Sequence, residues 1–258
     1  MATTLTNFNR APLHWFAPVT RVRALTLLAA ALVWEGVARS GWLYEGVVPP
    51  LTAVARAFVV LLVTGDTYHH LAVTAWEVAA GFGIGLVAGI AFGILMGARP
   101  FFGRAMAPYV DGLATAPKII FLPIVMLLFG VGITSKIALG ALSAFFPVTL
   151  NTAAGMHGIS PVLIRVGRSF RLSRAQMVRM IYLPALRGSI IVSMRLGLGV
   201  AIIGVLLAEI KLADRGLGFL AIDHYNQFRI PDMYALLLFI FILAIGANVL
   251  IGRLSPRR

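Results

Sequence analysis

The stretch VAAGFGIGLVAGIAFGILMGA, Val78 to Ala98, is 21 residues long and carries no charge. At 1.5 Å per residue a helix of that length is about 31 Å long. The hydrocarbon core of a bilayer is about 30 Å thick. Gly81, Gly85, Gly89, Gly93 and Gly97 recur at every fourth position. That spacing lays a stripe of small residues along one helix face, where a second backbone can approach closely in lipid. The simpler reading of the stripe is tight packing against a neighbouring helix; the other is a direct part in a transport path.

The chain around this run has the same character. It is 258 residues long, 60% hydrophobic and 12% charged, against about 25% charged residues in soluble domains. It reads as one integral membrane domain over residues 1–258, an all-α polytopic bundle. Further apolar runs fall at about 22–38, 71–98, 109–132, 136–156, 187–208 and 233–252. The first is short and interrupted by Glu35, and the third contains Lys118 and Pro123. Arg21 and Arg23 before an apolar run resemble a signal-peptide layout. The later spans favour a retained first membrane helix.

Charge fixes the expected topology. The net charge is +13, from 22 basic and 9 acidic residues. Six spans with the N-terminus inside put 14 basic and no acidic residues in the inner segments. The outer segments then hold six basic residues, Lys136 and Lys211 among them, and six acids, among them Glu45 and Glu209. An excess of Lys and Arg marks cytoplasmic loops, so both termini are expected inside. This accounts for most of the +13 without nucleic acid as a partner. Residues 1–21 form a cytoplasmic tail, 39–70 an outer segment with a helix lying on the membrane surface, and 209–231 an outer loop. Val54, Phe58, Leu61 and Leu62 give that surface helix its apolar side. There is no cysteine, which excludes disulfides, thiolate metal sites and cysteine nucleophiles and leaves the redox compartment open.

The segment RVGRSFRLSRAQMVRMIYLPA, Arg165 to Ala185, is basic and has no acid. Ser160-Pro161 is a helix start. Ser173 with Gln176 matches a capping box. Pro184 is expected to stop the second helix near Tyr182. The inner loop 157–187 therefore reads as two short helices, about 161–170 and 174–182, meeting near Arg171-Leu172. Met177, Met180 and Ile181 share one side of the second. Three readings stand on the residues alone: anchoring to anionic lipid, nucleic-acid binding, and docking of a cytoplasmic partner. Nucleic acid does not suit an inner membrane loop of this size.

Residues here resemble a family. Bacterial ABC-importer permeases carry E-A-A-x-x-x-G in a cytoplasmic loop, then nine residues, then I-x-L-P. Ile181-Tyr182-Leu183-Pro184 matches the end of that pattern. Counting back puts the pattern's glycine at Arg171 and its E-A-A at Arg165-Val166-Gly167. APKIIFLPIVMLLFGVG (Ala116 to Gly132), FFPVTLNTAAG (Phe145 to Gly155) and AEI…RGLGFL (Ala208 to Leu220) are similar to the sulfonate, taurine and nitrate branch.

The resemblance implies a type I importer permease fold, working as a homodimer in the inner membrane, with membrane lipid around it. Two separate cytoplasmic ATPase subunits would dock on the elbow, through Arg165, Gly167, Arg168, Arg171, Ser173, Ile181, Leu183 and Pro184. An external binding protein would deliver a small anion. ATP and Mg would sit on the ATPase, since no phosphate-cradling G-x-x-x-x-G-K-[ST] occurs here; this chain would need no cofactor and be no enzyme. Two departures stand out. Arg165 reverses the pattern's acid, which predicts an acidic patch on the ATPase opposite Arg165 and Arg168. Arg171 replaces the glycine, where a left-handed turn costs a non-glycine residue about 1–2 kcal/mol, so either the turn is strained or it takes another geometry.

Ionisable residues at membrane depth are candidates for the path: Arg195, Lys118, Glu77 and Glu209. The competing reading has them snorkelling to an interface or pairing with a carboxylate or backbone carbonyl. His69-His70 is expected as an interfacial pair rather than a metal site. No nucleophile-base-orienter set is present. The reading from a different class is a transporter or channel that needs no ATPase.

Overall fold

The computed structural model describes residues 16–42 and 47–253. Residues 1–15 with Arg10, and Glu45, Arg257 and Arg258, lie outside them. All regular structure among the described residues is helical. Helices α3 (Gly65–Ala98), α6 (Ile133–His157), α10 (Arg187–Leu212) and α12 (Ile230–Gly252) are each long and apolar enough to cross a bilayer. They cover the expected second, fourth, fifth and sixth spans. Two of them, α3 and α10, outrun the apolar windows by one turn or more, because polar residues such as Asp66, His70 and Lys211 continue the backbone hydrogen-bond ladder.

The third span differs from the straight helix expected at 109–132. It is α4 (Pro100–Thr115), a 3-10 turn (Lys118–Phe121) and α5 (Leu122–Phe129), bent by 99°. Pro117 forces the residue before it out of the helical region, and Ala116 is extended at φ −62°, ψ 136°. Pro123 sits in the first turn of α5, where its missing N–H has no partner to lose. Gly130, at φ +75°, ends α5.

The core is built on close helix approach. The glycine stripe of α3 lies against α6, facing Ile137, Ala141, Val148, Thr149 and Met156 in turn. Helix α10 packs on α6 through Gly197 and Gly204, which abut Val148 and Ser143. Leu139, Ala144, Val148, Ala201 and Val205 between them are wholly buried. Packing of this kind replaces hydrophobic exclusion as the driving force in lipid.

The remaining helices frame one end. Helix α1 (Phe16–Arg39) is 24 residues, about 36 Å, with most of its leucines exposed. Glu35, which interrupts the apolar run, has a structural partner. Its Oε2 accepts from Leu51 N at 2.8 Å, the first residue of α2 (Leu51–Val63). Pro50, at the N-cap, offers no side-chain acceptor there, so α1 caps α2 from outside. Helix α2 buries Val54, Ala57 and Leu61 against Ala235, Leu236 and Phe239 of α12. Its apolar side is thus partly turned into protein, while Val59, Val60 and Val63 stay exposed. Residues 65–70 belong to the first turns of α3. Residues 209–231 hold the end of α10, helix α11 (Leu217–Asn226) and the start of α12.

Candidate coupling elbow and buried polar clamp

The elbow forms from the local signals in its sequence. Helix α7 (Pro161–Ser169) starts at Ser160, whose Oγ accepts from Val162 N. It ends in a paired-bond turn. Leu172 N donates to Gly167 O at 3.1 Å and Arg171 N to Arg168 O at 2.9 Å. This Schellman arrangement needs a left-handed residue between them, and Arg171 takes φ +51°. The geometry usually given to glycine is therefore kept by an arginine. Ser173 then caps α8 (Arg174–Gln176): Gln176 N donates to Ser173 Oγ at 3.3 Å and Ser173 N to Gln176 Oε1 at 2.8 Å.

Pro184 does not stop the second arm at Tyr182. The chain passes through a π turn (Met177–Tyr182) and α9 (Leu183–Ala185), and α10 begins at Arg187. Leu183 N reaches back five residues to Val178 O. The widened turn removes the clash of a proline ring with the carbonyl four residues earlier. The two arms meet at Gly167, where a Cβ would stand 2.5 Å from Met177 Sδ. Ile164, Val178 and Tyr182 root the elbow on Ile94, Met156, Ile159 and Leu186.

On the other side the elbow is bare. Arg165, Arg168, Arg171, Arg174 and Arg179 are all exposed, and none is in an ion pair among the described residues. Phe170 is 76% exposed and Met180 61%. Ile181 is half-buried, and Ser173, Leu183 and Pro184 are exposed. An apolar patch among guanidinium groups suits an acidic protein groove with an apolar floor.

The second cluster lies at the opposite end of the bundle. Glu209 of α10 is wholly buried. Its Oε1 accepts from Thr74 Oγ1 at 2.6 Å and its Oε2 from Gly218 N at 2.7 Å. Leu217 N donates to Thr74 Oγ1 at 2.8 Å, and Gly216 N to His70 Nδ1 at 2.9 Å. Three successive N–H groups at the start of α11 are thus held by α3 and α10. Gly216, at φ +114°, is required there: a Cβ would stand 2.2 Å from Glu209 Oε1. Glu77 lies beside Glu209, and Lys136 Nζ of α6 is 2.5 Å from Glu77 Oε1. That contact is an ion pair outside hydrogen-bond geometry.

Glu77 and Glu209 are thereby brought together, and the other two membrane-depth candidates are elsewhere. Lys118 Nζ donates to the carbonyls of Leu113, Ala114 and Ala116 at 2.9, 2.8 and 2.6 Å, closing the end of α4 at the 99° bend. Arg195 Nε donates to Asn248 Oδ1 of α12 at 2.8 Å. Lys136 and Glu209, counted with the outer segments, are buried in the bundle. The outer balance becomes five basic to five acidic residues, and the inner excess is unaffected. His70 is buried and stacked on Phe219, while His69 is exposed.

His70 and Thr74 escaped the sequence reading as members of this clamp. Their signal is a polar stripe, His70, Thr74 and Glu77, at i, i+4 and i+7 of a greasy helix. In α11, burial is the main cause that pushes the His224 imidazole below its ordinary value, and the adjacent Arg229 adds to it.

Comparison with known proteins gives consistent matches. Residues 85–258 fit the family model of the binding-protein-dependent transport system inner membrane component. A permease protein of Bacillus subtilis (strain 168) named for aliphatic sulfonates transport is 32% identical over 199 residues, covering 76% of this chain and 72% of the relative. The taurine transport system permease protein of Escherichia coli (strain K12) is 29% identical over 257 residues, covering 95% and 93%. Among solved structures, a chain of the MetNI methionine ABC transporter in an inward-facing conformation has a TM-score of 0.59 at 21% identity, covering 76% of this chain and 97% of that one. That likeness concerns the fold.

Proposed function

Because the chain belongs to the family of binding-protein-dependent transport system inner membrane components, we propose that it moves a small anion inward when a separate ATPase acts on the 157–187 elbow. The chain is the permease subunit of an ABC importer in the inner membrane, and is not itself an enzyme. Its substrate is a sulfonate such as taurine, or a similar small anion such as nitrate. The first two relatives carry sulfonate and taurine in their names. An external binding protein delivers the anion, and a second copy of the chain completes the path.

One observation carries the coupling: the elbow is rooted in the bundle on one side and unpartnered, arginine-rich and apolar on the other. A rigid body of that form transmits a push to α6 and α10, which flank it in the chain. Two global states follow if ATP favours one set of docking contacts over the other.

The test is uptake into proteoliposomes that hold this permease, its ATPase and its binding protein. ATP-dependent uptake of taurine, an alkanesulfonate or nitrate is expected, with no uptake of a cationic solute. Uptake without the ATPase would overturn the reading. With Arg165→Glu, substrate-stimulated ATP turnover should drop at least tenfold, because like charges placed across an interface cost several kcal/mol and about 1.4 kcal/mol is already tenfold. Unchanged turnover would show that no acidic patch meets Arg165.

A further inference from the structure

A cavity of 250 Å³ lies at the end of the bundle opposite the elbow, between α2, the first turn of α3, the last turn of α11 and the start of α12. The basic excess at the elbow end makes this the outer end. Pockets for drug-sized ligands begin at about 300 Å³, so this one suits a smaller molecule. Leu61 and Leu220 give it an apolar side. The rest is polar: Asp66, Thr67, His224, Arg229 and Asp232. The charges form the rim, with the side chains of Asp66, Arg229 and Asp232 69%, 48% and 38% exposed. Thr67 and His224 are buried, at 4% and 7%.

Most of the hydrogen-bonding capacity here is unused. Arg229 Nη2 meets His224 Nδ1. A guanidinium only donates, so Nδ1 accepts and the ring proton sits on Nε2. That Nε2–H and Thr67 Oγ1 have no partner among the described residues. Neither atom is sealed in the packing, so both open on the cavity their residues line. Arg229 Nε stands 3.8 Å from Asp232 Oδ2, too far for a hydrogen bond. On the other side of the rim Asp66 Oδ2 has His70 Nε2 at 3.4 Å, which leaves both aspartates with acceptors to spare. Among the described residues no three metal-binding side chains come together, so a metal site does not account for the two carboxylates.

We infer that this cavity binds a small zwitterion, a molecule with an acid group and an ammonium on one short chain. The acid group takes donors from Arg229, His224 and Thr67, and the ammonium meets Asp66 and Asp232 at the rim. Two carboxylates against one guanidinium make the lining unfavourable for a bare anion, and the free donors have nothing to offer a simple cation. The site deepens the substrate class proposed above and rests on that reading: it selects a zwitterionic amino-sulfonate over a simple anion such as nitrate.

The experiment is equilibrium binding of radiolabelled taurine to the full-length permease purified with its ATPase, without ATP or binding protein. Ethanesulfonate, which lacks the ammonium, and ethylamine, which lacks the sulfonate, compete against the label. A partly exposed carboxylate is worth about threefold, so ethanesulfonate, which loses two, should compete about tenfold more weakly than taurine. Ethylamine should be weaker still, because charge-assisted hydrogen bonds are worth tenfold or more. Asp232→Asn should weaken taurine about threefold and leave ethanesulfonate unweakened, whereas Arg229→Gln should weaken both. Thr67→Val should also weaken both, and serves if the Arg229 variant does not fold. Ethanesulfonate competing as well as taurine overturns the site, as does taurine binding that is unsaturable or the same in all three variants. ATP-dependent uptake without this binding would sink the site and leave the importer reading intact; zwitterion binding without ATP-dependent uptake would do the reverse.

Discussion

Replacing Gly85 by alanine tests whether the α3–α6 contact holds the bundle together. A Cβ there would stand 2.5 Å from Ala141 O and 2.8 Å from Ala144 Cβ, where ordinary contact begins at 3.4 Å. The space is short by about 0.9 Å, and the carbonyl it meets is backbone, so no rotamer change relieves it. Either the helices strain, or they part and lose a quarter to a half of the dispersion well along their length. Gly83, two residues away, has nothing within 4 Å of its Cβ position. Both changes gain the same intrinsic helix preference of alanine, roughly 0.8–1 kcal/mol, which cancels in the comparison. What remains is overpacking, about 1–3 kcal/mol. Gly85→Ala should therefore melt lower than Gly83→Ala by about 4–8 °C, taking 2 kcal/mol and a chain of this size. The assay is thermal unfolding of the purified protein in mild detergent, followed by tryptophan fluorescence at one fixed scan rate. Melting points within 1 °C of each other would refute the reasoning, because the stripe would then not be in close contact.

Three further outcomes are expected. Arg171→Gly relieves the left-handed strain at φ +51° and should stabilise the protein by about 1 kcal/mol, visible as a higher melting temperature; a lower one would mean that the arginine side chain compensates. Lys136→Met leaves Glu77 buried without its counterion and should cost about 3–5 kcal/mol, whereas Lys136→Met with Glu77→Met together should recover most of it; a double mutant as unstable as the single one would contradict the pairing. His224 is held below its ordinary 6.5 by burial first and Arg229 second. The fold then binds fewer protons than the unfolded chain once the pH drops below 6.5, so stability is full above that value and declines below it. His224→Gln should flatten the loss in melting temperature between pH 6.5 and 5, with Asp223, Asp232 and His70 as the other groups acting on it.

The elbow was legible residue by residue. Ser160, and Ser173 with Gln176, are signals between neighbours in the chain, and each appears as hydrogen bonds within a few residues; the left-handed turn at Arg171 was expected only from the glycine of the family pattern. The spans were legible for the same reason: a run of apolar residues satisfies its own backbone as a helix wherever its neighbours lie. The clamp was not. Thr74 and Glu209 are 135 positions apart, and nothing local marks Glu209 or Lys136 as buried rather than facing water. The 99° bend at Pro117 was missed, although a proline disfavours helix at the residue before it. At Pro184 a local rule predicted a stop, and a π turn removed the clash that the rule assumes.

By itself, then, the sequence determined which segments are helical and which end of the bundle is basic, since each follows from hydrogen bonding and solvation over a few residues. Only the tertiary structure decided that the glycine stripe meets α6, that Glu77, Glu209 and Lys136 are buried together, and that Arg195 meets Asn248 of α12. Those are meetings between distant parts of the chain, and in lipid they are chosen by shape and close packing, which a one-dimensional pattern of polarity does not record.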